Sequence, residues 1–119
     1  MKNLNIDVHL RRTTLVAIEK TNREPTVAAA ELRRCVEALV NQLLEHHYVT
    51  PKGTLDLNIG ALRDQSVVPE IVANQMHTIR ILGNLALHPK AGEPALQSGD
   101  IYPSVTALVA ILEWLNSRG

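Results

Sequence analysis

A chain of 119 residues with 45 % hydrophobic content has the size and apolar fraction of a single globular domain. Twelve basic residues balance twelve acidic ones, so there is no net field to draw in a nucleic-acid backbone and no polybasic run for an anionic membrane surface. Phe is absent and Trp and Tyr number three together, which leaves an aliphatic core suited to helices packed on helices; the single cysteine, Cys35, cannot close an internal disulfide and reads as a small buried hydrophobe.

The first segment, "MKNLNIDVHLRR", has an early lysine but no apolar run behind it, and no stretch approaches the roughly 20 apolar residues of a membrane span. The expectation is a soluble, unexported, cytoplasmic protein. Leu4, Ile6, Val8 and Leu10 alternate as a strand would, while "RRTTLVAIEK" closes as a short helix, so residues 1–22 read as an N-terminal segment, helical or partly extended. Residues 23–119 read as the main domain.

Pro and Gly divide that domain into segments of helical length. From Thr26 to about Tyr48, Ala29, Leu32, Val36, Leu39 and Leu43 step along one face, widened by Val40 and Leu44. "TPKG" ends this helix, and Thr54 caps a short one through Leu55, Ile59 and Leu62, with Asp56 in its first turn where the helix dipole favours it. Pro69 and Glu70 suit the first turn of the next, in which Val72, Met76, Ile79, Gly83 and Ala86 share a face, and Pro89 forces a stop near His88. A loop over 89–100 leads to a last helix over about 103–117, with Val105, Leu108, Leu112 and Leu115 facing inward, Ala107 and Ile111 flanking, and Trp114 at the edge. The fold expected is all-α, an antiparallel bundle of four to five helices.

"RILGNLALHP" is the stretch that raises a functional question. Residues four apart advance about 40° around a helix, so Arg80, Asn84 and His88 make a slightly skewed polar stripe. Gly83, in the middle, costs roughly 1 kcal/mol against alanine, which signals that something approaches the helix closely. One reading is structural: Arg80 and Asn84 bonded to a neighbouring helix and His88 capping the end. The other is a site, with His88 as acid or base and Arg80 and Asn84 holding a phosphate. In "ELRRCVE", Arg33 and Glu37 form an i, i+4 pair, and Glu37, near the apolar edge, is placed to meet Arg80; Arg33, Glu37, Arg80 and Asn84 are thus the candidate structural network. The adjacent His46 and His47 point about 100° apart with no further ligand at metal spacing, and no phosphate loop or nucleophile elbow is present, so neither a metal nor a cofactor is expected.

Three blocks, "AAAELRRCVEALVNQLL", "GTLDLNIGALRDQSVVPEIV" and "HTIRILGNLALHP", resemble an uncharacterised bacterial branch of the HEPN superfamily, similar to domains fused to type I restriction subunits and other defence proteins. The resemblance covers about residues 23 to 116, and its most specific element is Arg80, Gly83, Asn84, His88 and Pro89, supported by Arg33 and Glu37. It implies a four- or five-helix bundle that dimerises through its long helices. Ribonuclease members of that superfamily carry an arginine, commonly followed directly by asparagine, four to six residues before a histidine. Here Gly83 stands before Asn84, and seven residues separate Arg80 from His88, so that pattern is broken. The expectation is a non-catalytic interaction or oligomerisation module of a prokaryotic defence or regulatory system, homodimeric, with a protein partner or a fused effector domain. Its rivals are a metal-independent ribonuclease, whose RNA substrate the charge does not indicate, and a nucleotide-binding module, both using Arg80, Asn84 and His88.

Overall fold

The computed structural model describes residues 12, 15–16, 19–21 and 23–118. Among them there is no strand, and four long helical elements form an all-α bundle: α1 (Pro25–His46), α2 (Leu55–Asp64), α3 (Glu70–Leu87) and α4 (Ser98–Ser117). The described residues ahead of α1, up to Thr21, are helical too, and Lys20 ties them to α1 through a 2.9 Å ion pair with Glu31. The alternating stretch from Leu4 to Leu10 lies outside the described residues. No helix among the described residues is long and apolar enough to cross a membrane.

The core is aliphatic, as the composition requires. Leu32, Val36, Leu39 and Leu43 of α1, Ile59 and Leu62 of α2, Met76 and Ile79 of α3, and Leu108 and Ile111 of α4 are all buried. The most extensive packing is between α1 and α3, and α3 also packs on α2 and α4, so α3 is the central element. Cys35 is buried and reduced.

Two helices end without the glycine that usually marks a C-terminus. After α1, Tyr48 takes the left-handed conformation (φ 56°), Val49 N–H donates to the Leu44 carbonyl at 2.9 Å and Tyr48 N–H to Glu45 at 3.3 Å. After α2, Ser66 (φ 60°), Val67 and Leu62 repeat the pattern. Both are Schellman closures, which satisfy carbonyls that the last turn would leave orphaned. Buried Val49 against buried Leu44 supplies the hydrophobic contact that accompanies the first.

Thr54 caps α2 by accepting from the Leu57 N–H at 3.2 Å, with Asp56 in the first turn, and α3 stops at His88, whose N–H donates to the Asn84 carbonyl at 2.8 Å. The start of α4 differs from the sequence expectation. It begins at Ser98, because Gln97 and Asp100 form a capping box, and Pro103 sits inside the helix. As the sixth residue of the helix, Pro103 removes the N–H that would bond the Gly99 carbonyl. The inward face of α4 differs as well: Ile101, Ser104, Ala107, Leu108 and Ile111 are buried, while Val105, Leu112 and Leu115 are half-buried.

Candidate functional site

The polar residues of α3 do not act as one stripe. Their drift of about 40° per step accumulates over eight residues, and the three side chains leave the helix toward different neighbours. Arg80 turns toward α2: its Nε donates to His77 Nδ1 at 3.1 Å and its guanidinium lies 3.9 Å from the Asp56 carboxylate. Asn84 turns toward α1, where its Oδ1 accepts from Arg33 Nε at 2.8 Å. His88 is exposed at the C-cap, with its backbone engaged and its ring on the surface.

Gly83 explains why Arg33 reaches Asn84. A Cβ at this buried position would lie 2.7 Å from Arg33 Cδ and 2.9 Å from Cγ, and closer still to Arg33 Cβ. The arginine stem therefore occupies the space of the absent side chain, and α1 and α3 approach closely at this point. The guanidinium emerges beside Asn84 and meets Glu37 at 3.7 Å on its own helix. The expected Glu37–Arg80 pair is not formed, because Glu37 follows the Arg33 row while Arg80 is on the α2 side of α3.

A second polar group, Asp56, His77 and Arg80, joins α2 to α3. His77 Nδ1 lies 3.7 Å from Asp56 Oδ1, but it can accept from Arg80 only while unprotonated. Burial, then the Arg80 charge, hold the His77 pKa below its ordinary value; Asp56 opposes the shift and Arg63 adds to it. This cluster has no signature in the sequence, since Asp56 is remote in the chain from the other two. It is a hydrogen-bonded strut between the two helices.

The adjacent histidines at the end of α1 stack edge to face, with ring centroids 4.9 Å apart. Arg118, from beyond α4, lies over Trp114 and makes a 3.0 Å contact with His47 Nε2. Burial first, then Arg118 and His46, lower the His47 pKa. Among the described residues no group of three His, Cys, Asp or Glu side chains is placed to hold a metal ion.

The Arg33, Gly83, Asn84 and His88 arrangement lies inside residues 16–115, which match the family model described as "Domain of unknown function (DUF4145)". The chain belongs to that family. The match takes in α1, α2 and α3 whole and nearly all of α4, so the interlocked seam is part of the family's domain rather than of an appendage. No curated protein and no solved structure matches the chain.

Proposed function

We propose that this DUF4145 domain is a non-catalytic helical interaction or oligomerisation module, of the HEPN-like kind that accompanies prokaryotic defence or regulatory systems. The observation that carries the reading is the use of Arg33 and Asn84. Asn84, one of the two groups expected to hold a phosphate, is instead bonded to Arg33 across the α1–α3 seam, around a glycine whose missing side chain the arginine stem replaces. Arg80, the other candidate cation, faces Asp56 and His77 rather than His88. General acid–base chemistry on a phosphodiester needs a positioned cation and a titrating group converging on one atom, and these side chains diverge.

The homodimer and its defence setting belong to the same proposal. Light scattering across a concentration series tests it: a mass approaching two chains is expected, and a strictly monomeric mass at high concentration contradicts self-association.

One observation favours a second reading, a metal-independent ribonuclease. Arg33 restores from another helix the cation that the sequence lacks beside Asn84, and His88 follows one turn later. Against this, the Arg33 Nε is committed to Asn84 and Glu37 offsets its charge. Cleavage of RNA that depends on His88 would decide for the enzyme.

A further inference from the structure

The packing of α3 leaves one of its faces unused. Ile71, Asn74, Thr78, Ile81 and Leu85 step 3, 4, 3, 4 along the outside, and Ile71, Ile81 and Leu85 are 68 %, 51 % and 36 % exposed. The spacing matches the buried row on the opposite face, and three of the five positions are apolar, so α3 carries a second, interrupted apolar row that no other described helix covers. Beside the row, between α3 and α4, runs an open groove. One part, of about 300 Å³, is lined by Thr78, Ile81, Leu82, Asp100, Pro103 and Ser104. An adjoining part shares Thr78 and Pro103 and continues past Tyr102 and Thr106.

Two further features set this groove apart. Ser104 is 1 % exposed, and among the described residues its Oγ is the buried side-chain polar atom left without a hydrogen-bond partner. Buried polar groups are as a rule satisfied, so this hydroxyl, closed off behind the groove wall, is a local flaw in the α3–α4 packing. Pro103, in the same wall, has no N–H to offer the Gly99 carbonyl four residues earlier.

Its lining is one-sided in charge although the whole chain is neutral: Asp100 is among the lining residues and no Lys or Arg is. The carboxylates of α3 and α4 are Glu70, Asp100 and Glu113, and all three are exposed. The Lys or Arg on these two helices is Arg80 alone, which is drawn to Asp56 and His77 on the α2 side. A second copy placed symmetrically on this face would set carboxylates against carboxylates.

We propose that the α3–α4 groove docks a basic amphipathic helix of a partner protein, its apolar row packing beside Ile81 and its Lys or Arg residues facing Glu70, Asp100 and Glu113. The proposal rests on the interaction-module reading and names the partner's chemistry. The test is fluorescence anisotropy with two labelled peptides, each carrying Leu at 3-4 helical spacing, one filled with Lys and one with Glu. The Lys peptide is expected to bind at least ten-fold more tightly than the Glu peptide. Ile81→Asp is expected to weaken the Lys peptide about ten-fold although it adds a negative charge, and Glu113→Lys to weaken it as well. Equal binding of the two peptides, no binding of the Lys peptide, or unchanged or tighter binding to Ile81→Asp would each overturn the proposal. So would a light-scattering dimer that Ile81→Asp converts to monomer, because the groove would then be a self-interface. In that case, or where the dimer persists and the Lys peptide fails to bind, the interaction-module reading survives and the docking proposal alone falls.

Discussion

Gly83 and Arg33 are a matched pair. Replacing Gly83 by alanine gains roughly 1 kcal/mol of helix propensity, but the new Cβ collides with Cβ, Cγ and Cδ of Arg33, near the backbone where the arginine cannot swing aside. Overpacking of this kind costs about 1–3 kcal/mol, so denaturant unfolding of Gly83→Ala should show a net loss of stability. Arg33→Ala should not rescue it, because the Arg33 Cβ contact remains. Asn84→Ala removes the acceptor of a part-buried, charge-assisted hydrogen bond and should cost about 1–3 kcal/mol. Glu37→Ala should change stability by less than about 1 kcal/mol, since its carboxylate is 46 % exposed and 3.7 Å from the guanidinium. Sequence alone makes the two look equivalent. The close approach at Gly83 was legible from a glycine in mid-helix; its cause was not, because the i, i+4 spacing pairs Arg33 with Glu37 and says nothing of what crosses from another helix. Arg80 was misread for the same reason, its partner Asp56 being set by how α2 lies on α3. The histidines add a pH dependence at this scale. Both His77 and His47 have folded pKa values below the ordinary 6.5, so the unfolded chain binds more protons between the folded and unfolded values. Their contribution is full above pH 6.5 and is lost as pH falls below it. Melting temperature should decline through this window, and the decline should be shallower in His77→Gln, whose amide oxygen can still accept from Arg80.

Helix ends show a different limit. The start of α2 at Thr54 and the stop of α3 before Pro89 were legible because a capping side chain and a proline act locally. The end of α1 was blurred because Tyr48 occupies a position that usually takes glycine, and the closure depends on buried Val49 reaching Leu44. Tyr48 is 95 % exposed, so it brings no packing to offset its left-handed backbone. Tyr48→Gly should therefore raise stability by about 1 kcal/mol, read as a higher denaturant midpoint at unchanged slope. The opposite result would mean that the tyrosine ring makes a contact in the folded state. At α4 the helix was expected from about residue 103, whereas the Gln97–Asp100 capping box begins it five residues earlier and carries Pro103 within it. The inward face was misjudged separately, because buried Ser104 is a position that no apolar pattern would place inside.

For the molecule as a whole, composition foretold the architecture well. A chain with one Trp, two Tyr and no Phe builds an aliphatic helical bundle, and the buried rows of α1, α2 and α3 are those that the 3-4 spacing gives. What composition concealed is how charge is distributed: a neutral total includes a pair of helices, α3 and α4, with three exposed carboxylates and one arginine, and an α1–α3 seam that holds its arginine in place. The functional account follows from that seam. If Arg33, Gly83 and Asn84 brace the bundle, the family-like block is a structural signature and the domain binds rather than cuts. Incubating the protein with labelled transfer RNA and messenger RNA in the presence of chelator, beside His88→Ala, tests this most directly. The account predicts that neither protein cleaves above background; cleavage by the unaltered protein that His88→Ala abolishes would contradict it.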